Sequence, residues 1–390
     1  MNILHVTPLY APAWQFGGVV RSVSTLAETC AAKGARVSVV TTGIGTPHER
    51  HKKPHAELRH GVQVTYCPAI RSPIGIVSRA LTQAVEAALP ATDMCHITGV
   101  WQPSVLAAAR LCRNKGVPYV TSPRGALSPY SFRDGWLKKR IYYALYERAV
   151  QRCAAAVHAT SPLEEGELKA LLPRSRVHVI PNICDATRWF PDRARALEWR
   201  RAHGIEPEAA VFLHVGRVEP KKNLPFLGEV ARRLPATADW RFVLLGPAEA
   251  TELDRINASF RGVSDRLVTI PGTGSEGELR GAYTAATCLV MPSFHENFGN
   301  VVLESLFCGT PFLASDQVGV AEMLAGFAYG SALPLSAEGW ANSLAHMLPT
   351  SYSSRVSLAA SDMVRSKFSR LAVADSMLDL YAAVVAAVPS

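Results

Sequence analysis

Apolar and polar positions repeat in one pattern along most of this chain: short apolar, β-rich runs alternate with amphipathic stretches. In the first half, residues 2–7, 36–42, 62–67, 94–98, 119–122, 155–160 and 177–181 read as strands, with helical segments such as 20–33 and 103–114 between them. Alternation of this kind predicts a parallel sheet covered on both faces by helices. Prolines 181 and 191 bracket the segment PNICDATRWFP, where the pattern breaks, and a polar helix over 193–203 leads into a second series. There the expected strands are 211–215, 241–245, 267–270, 288–291 and 311–314. The predicted fold class is therefore α/β, with two doubly wound domains in tandem. Ligands of open α/β sheets sit beyond the carboxyl ends of the strands, so two such sheets predict a deep ligand cleft.

Composition narrows the class without changing this picture. A length of 390 residues suits two cores better than one, and 48% hydrophobic with 19% charged residues describes a globular chain. The opening MNILHVTPLY has no basic-then-apolar signal segment, and no apolar run reaches the roughly 18–20 residues of a membrane span. The longest apolar-rich stretch, 378–388, falls well short. Eight cysteines, none in a CxxC pair, read as buried free thiols of a reducing cytoplasm.

The net charge of +9 asks for an anionic partner. No zinc-finger, RRM or helix-turn-helix pattern appears, so nucleic acid is not expected. Segment 133–148, RDGWLKKRIYYALYER, interleaves Arg133, Lys138, Lys139, Arg140 and Arg148 with Trp136, Tyr142, Tyr143 and Tyr146. Such a mixture suits the headgroup layer of an anionic membrane, and equally a surface helix whose aromatics pack inward. Segment 43–61 carries four histidines without apolar periodicity. His48, His51 and His55 lack the regular companions of a zinc site, and a solvated basic loop is the expectation.

The richest chemistry lies in 292–304, PSFHENFGNVVLE. It leaves an apolar run, offers Glu296 in a loop, opens a helix near Phe298 and Gly299, and carries Glu304 further along. A helix start is a ready anion site, and carboxylates accept hydrogen bonds from sugar hydroxyls. Acids on both sides of an anion site suit a nucleotide sugar held at both ends. The run FLHVGRVEPKKN at 212–223 ends a strand and supplies Arg217, Lys221 and Lys222, cations suited to clamping a diphosphate whose charge grows as a bond to it breaks. Near the start, Gly17 and Gly18 open a helix and permit close backbone approach. One competing pattern is GTGSEG, beginning at Gly272, which matches G-x-G-x-x-G with an acid about 20 residues on. It follows the third strand of its series rather than the first, which argues against a nicotinamide dehydrogenase.

These residues resemble a retaining glycosyltransferase of the large bacterial family four. The resemblance runs nearly end to end: GGVVRSV, SPRGALSP, HATSPLEEGEL, IPN, GRVEPKKN and HENFGNVVLESLFCGTPFLAS, the last holding a Glu-x7-Glu pair. It implies a GT-B fold of two facing Rossmann-like domains: residues 1–190 binding acceptor, 191–366 binding donor, and a helix in 367–390 crossing back to the first. It further implies that Glu304 holds the ribose and Glu296 the donor sugar. Arg217 and Lys222 would neutralise the departing diphosphate, helped by the backbone of Phe298, Gly299, Asn300 and Val301, with Gly272 also on the donor side. Gly17, Gly18, Thr98 and Arg124 would border the acceptor. Neither metal nor cofactor is implied. Three departures stand out: Thr98 where relatives carry histidine, with His96 two residues earlier; Arg124 within PRG where others read PHG; and Ile183 where others have glycine.

The expected function is therefore a cytoplasmic, membrane-associated hexosyltransferase. It would move sugar from a GDP- or UDP-linked donor to a lipid-pyrophosphate-linked glycan of exopolysaccharide, capsule or O-antigen. Two alternatives stay open: a glycosidase using Glu296 and Glu304 as its acid pair, and a degenerate GT-B module that binds nucleotide or a partner without turnover.

Overall fold

The computed structural model describes residues 1–73, 75–272, 274–348 and 358–387. Two compact units divide the chain: Met1–Ile183 with Arg370–Ser390, and Cys184–Ser369. The joint falls at Ile183/Cys184 because Cys184 and Trp189 are buried in the core of the second unit, whereas Ile180 and Ile183 belong to the first.

Strands of the first unit, in chain order, are β1 (Asn2–Val6), β2 (Arg36–Thr42), β3 (His55–Arg59), β4 (Val62–Cys67), β5 (Ile70–Ser72), β6 (Gly75–Val77), β7 (Met94–Thr98), β8 (Tyr119–Ser122), β9 (Ala156–Ala159) and β10 (Val177–Val179). Eight form one sheet in the order β10-β9-β8-β7-β1-β2-β4-β3, and β5 with β6 makes a small hairpin. Every pairing in the large sheet is parallel except β3 on β4. The strand order reverses between β1 and β7, which defines the switch point of this unit. Strand β3 corrects the expectation of a loop throughout 43–61. Its pattern HAELR buries nothing fully, so apolar periodicity gave no sign of it, and pairing to β4 alone holds it at the sheet edge.

Both faces of this sheet are covered. Leu4, Val6, Cys95 and Ile97 point towards Leu81, Val85, Leu106 and Ala109. On the other face Ile3, Met94, Val120 and Ala156 meet the helix Gly18–Ala32 and the C-terminal helix Arg370–Ala386, through Val373, Ala374, Met377, Leu380 and Val384. The C-terminal helix is thus part of the first unit, and Lys33 pairs with its Asp375 at 2.7 Å.

A polar line crosses that second face where apolar residues would be expected. His158 donates from Nε2 to the Ile180 carbonyl at 2.8 Å, so its Nδ1 accepts from Ser122 Oγ at 2.6 Å. Ser122 in turn accepts from His96 Nε2 at 2.7 Å, and His96 Nδ1 accepts from the Tyr381 hydroxyl. One consistent set of proton positions therefore runs from the C-terminal helix across three strands. Burial holds these rings neutral: it lowers His158 to about 3, helped by Arg124, and drives His96 well below its usual range. His5 stacks on His96 at 5.0 Å and is lowered to about 4 by burial and Arg124.

The second unit contains β11 (Ala210–Val215), β12 (Trp240–Leu245), β13 (Leu267–Ile270), β14 (Cys288–Met291), β15 (Phe312–Ser315) and β16 (Gly330–Leu333), all parallel, in the order β13-β12-β11-β14-β15-β16. Helices Arg193–Ala202, Glu276–Ala285 and Asn300–Phe307 cover one face, and Phe226–Ala231 and Ala337–Ala345 help cover the other. The reversal of strand order falls between β11 and β14. Arg200 is buried, and its two terminal nitrogens donate to the carbonyls of Glu206, Ala209 and Ala285 at 2.7–3.0 Å.

The neutral histidines give the fold an acid limit. An unfolded chain takes up protons on them below about pH 6.5, while the folded chain resists until about pH 4, so stability is full above 6.5 and falls through that window as pH drops. Both ring nitrogens of His5 lack a hydrogen-bond partner, so phenylalanine should fit its site. Urea denaturation should find His5→Phe at least as stable as the parent at pH 7. At pH 5 the variant should lose about 2 kcal/mol less than the parent loses. Equal losses at pH 5 would show that His5 is not held neutral.

Candidate active site

The switch point of the second unit gathers the cations and acids singled out in the sequence. Strand β11 ends at Val215, and Gly216 turns the chain with φ +141. The oxygen of Gly216 would lie 1.8 Å from any Cβ at Gly246, so only glycine lets the loops after β11 and β12 come so close. Arg217 follows with its side chain 73% exposed, paired with Glu219 at 3.5 Å. A short 3-10 turn, Pro220–Lys222, then directs Lys222 onto Glu296, whose carboxylate accepts a short hydrogen bond from Nζ.

Glu296 is fixed from the other side of the reversal, in the loop after β14. Its N–H donates to Gln317 O at 2.8 Å, its carbonyl accepts from Gly319 N at 2.9 Å, and Phe294 N donates to Lys221 O at 3.0 Å. Burial works against its ionised form. Lys222 and then Lys221 outweigh that, and the net result holds the Glu296 carboxyl below the usual range. His214, beneath this pair, is lowered to about 4 by burial and by Lys222, so it stays neutral and adds no charge.

Beyond Glu296, Phe298 is buried and Gly299 sits in the left-handed region at φ +95. A Cβ at Gly299 would meet Val318 Cγ1 at 2.9 Å, so both space and backbone demand glycine. Gly299 caps the helix Asn300–Phe307, and no side chain caps its start. Asn300 and Val301 form the first turn, and Glu304, one turn in, accepts from the Tyr283 hydroxyl at 2.7 Å. Tyr283 gave no sign in the sequence, because its ring is wholly buried and only its hydroxyl reaches the site. Gly272 is exposed, at φ +103, after the edge strand β13. The glycine pattern there serves a turn and a capping box, in which Ser275 and Glu278 satisfy each other's backbone. Its Thr273 lies outside the described residues.

A hollow of about 540 Å³ lies beside Arg217, lined by that cation and Arg255 and by the acids Glu219, Glu249 and Glu252. A larger one of about 670 Å³, beside β15 and β16, is lined by the acids Asp316 and Glu322 with no cation among its described residues.

In the first unit the acceptor-side candidates cluster at its own switch point. Gly17 (φ +84) and Gly18 open the helix after β1, both exposed, and Thr98 ends β7, buried. A Cβ at Gly99 would be 3.6 Å from Pro8, so the loops after β1 and β7 adjoin. Arg124, after β8, adopts φ +56 and donates to Asn182 Oδ1. Burial pulls its pKa down, with Glu164 opposing.

Sequence comparison agrees with this geometry. Residues 17–183 match the glycosyl transferase 4-like domain, and residues 196–351 match the glycosyl transferases group 1 family. Between them only the termini and a short joint go unmatched. The chain belongs to the glycosyltransferases. The 2-deoxystreptamine N-acetyl-D-glucosaminyltransferase of Streptomyces fradiae is 28% identical over 80% of this chain and 79% of that protein. Among solved structures, sucrose-phosphate synthase of Thermosynechococcus elongatus superposes with a TM-score of 0.73 at 20% identity, covering 99% of both chains. HepE of Anabaena, solved with UDP and glucose, gives 0.72 at 19% identity over 98% of this chain and 100% of that one. These likenesses establish the GT-B fold of this glycosyltransferase: two Rossmann-like α/β units with parallel sheets.

The Lys222–Glu296 pair is open to a direct test. Replacing Lys222 by Met strands a largely buried carboxylate and should cost about 1–3 kcal/mol in urea denaturation. Adding Glu296→Gln should restore part of that loss. Strictly additive effects of the two changes would mean that the pair is not coupled.

Proposed function

We propose that this glycosyltransferase moves a hexose-type sugar, with retention of configuration, from a GDP- or UDP-linked donor to a lipid-pyrophosphate-linked oligosaccharide of exopolysaccharide, capsule or O-antigen. The observation that carries the donor half is the Lys222–Glu296 pair beside an exposed Arg217 and the uncapped helix start at Gly299. Arg217, Lys222 and the backbone of Phe298–Val301 take up charge on the diphosphate as the bond from the anomeric carbon to its oxygen breaks. No metal or cofactor is needed for that step. Glu296 accepts from donor-sugar hydroxyls and Glu304 from the ribose. The acceptor oxygen attacks the same face of an oxocarbenium-like sugar, and its proton passes to a donor phosphate oxygen.

The glycosidase alternative with Glu296 as its acid is disfavoured, because that group must stay protonated and Lys222 keeps Glu296 ionised. In the first unit both nitrogens of His96 are engaged, which leaves that ring no proton-accepting role.

The lipid-linked acceptor and a peripheral position on the inner face of the plasma membrane rest on segment 133–148. Its inward face is Tyr143 and Glu147, while Trp136, Leu137, Ile141, Leu145 and Tyr146 are 40–65% exposed beside Lys138, Lys139 and Arg140. A row of exposed apolar side chains with interleaved cations fits an anionic bilayer surface. No helix among the described residues is long and apolar enough to cross a membrane. The Streptomyces fradiae relative favours a second reading, a small aminocyclitol acceptor in place of the lipid-linked glycan.

A thermal-shift screen of nucleotide sugars should find one donor that raises Tm, and Glu304→Ala should abolish most of that rise. An unchanged shift in the variant would refute the ribose contact. Separately, the protein should sediment with vesicles containing phosphatidylglycerol and not with neutral ones. Trp136→Ser with Leu145→Ser should reduce that binding at least tenfold. Equal binding by parent and variant would remove the membrane reading and favour the small acceptor.

A further inference from the structure

The fold gathers three histidines that the donor chemistry does not use. His48, His51 and His55 each offer one ring nitrogen, and these atoms all lie within 4.8 Å of one another. Their rings are 4.2–5.5 Å apart between centroids. Glu57 Oε2 joins them, 3.5 Å from His48 Nε2 and 3.8 Å from His55 Nε2. In sequence this is H-x2-H-x3-H-x-E. The His51 N–H bonds to His48 O in a turn, and the chain then enters β3, where the strand period of two puts His55 and Glu57 on one face.

The surroundings orient the donors. Glu57 Oε1 lies 3.4 Å from Arg59 Nη1 and 3.3 Å from the Tyr66 hydroxyl, which turns Oε2 towards the histidines. Tyr66 also lies against His48, with centroids 4.7 Å apart. Thr46 Oγ1 accepts from the His48 N–H at 3.1 Å, and Thr46 itself donates to Gly43 O at 2.7 Å.

We propose that His48, His51, His55 and Glu57 form a binding site for one divalent d-block ion of the zinc class, clipping the segment after β2 to the edge strand β3. Three imidazoles and one carboxylate make a tetrahedral N3O set, which suits zinc and excludes magnesium or calcium, whose ligands are oxygens. Coordination at about 2 Å requires the donors to close by about an ångström, within reach of the exposed His51 on its turn. Basic neighbours Arg50, Lys52 and Lys53 repel a loosely held cation, so affinity must come from direct coordination. The same segment touches the acceptor side: Gln15 Nε2 donates to Gly45 O at 2.9 Å, just before Gly17. A bound ion would stiffen that contact. It departs from the metal-free expectation of the sequence, and takes no part in donor cleavage.

The test uses the full chain without a histidine tag, stripped with a chelator and titrated with zinc against a chromophoric competitor. One equivalent should bind with Kd below about 1 µM, Tm should rise, and cobalt(II) in its place should show the strong visible absorption of a tetrahedral site. His51→Ala, at an exposed position, should keep the metal-free Tm and lose at least tenfold in zinc affinity. Glu57→Gln should weaken binding and alter the cobalt spectrum. Absence of stoichiometric zinc in the parent would overturn the proposal. So would unchanged affinity in the His51→Ala and His55→Ala double variant, leaving the cluster as an ionic contact of Glu57 alone.

Discussion

A carboxylate shielded from water must either meet a cation or take up a proton, and the second unit is arranged around one such group. Lys222 reaches Glu296 from the loop after β11, while Glu296 hangs from the loop after β14. The pair therefore bridges the two strands between which the sheet order reverses. Each partner needs its own loop held still. Gly216 and Gly246 permit the close approach on one side, and the backbone bonds of Glu296 to Gln317 and Gly319 brace the other. Gly299 follows because the chain must turn into a helix within three residues, against Val318. Arg217 is left exposed and weakly tied, which suits a group that engages only when an anion arrives.

The first unit solves the opposite problem. It places polar groups under its switch point without net charge on the rings. His158, Ser122, His96 and Tyr381 satisfy each other in one direction of donation, so the loops after β7 and β8 rest on a neutral, fully bonded layer. Arg124 sits at the edge of that layer and helps keep His5 and His158 unprotonated. The C-terminal helix belongs here energetically as well as spatially, since it supplies both the Tyr381 hydroxyl and an apolar seam.

Strands buried on both faces were legible because a short continuous apolar run between polar segments fits a buried strand and is too brief for a helix; β7, β11 and β14 are of this kind. Of the strands at or beyond the sheet edges, β10 and β13 were legible and several others were not. HAELR, IRS and GSAL bury little, and pairing rather than side-chain pattern makes them strands. The site followed the same division. Glu296, Lys222 and Gly299 could be read from residue types next to a strand end, whereas Tyr283 and Gly246 act through distant contacts that no local spacing encodes. The three histidines were singled out in the sequence but read as a solvated loop, for another reason. Their spacing matches no familiar zinc pattern, and only the unforeseen β3 brings His55 and Glu57 back beside His48.

That last case bears on how donor and acceptor properties are built. At the second switch point a shielded carboxylate depends on charge, and a single loop substitution such as Lys222→Met removes its partner. At the first, the layer under the loops is neutral and its members are mutually bonded, so charge enters only with Arg124 and with residues above the layer. The loops resting there, with exposed Trp14, Phe16 and Gly17, are then free to differ in shape without disturbing the sheet. On the proposed function, acceptor choice would reside in that rim and in whatever holds the adjoining 43–54 segment in place, apart from the Lys222–Glu296 pair of the second unit.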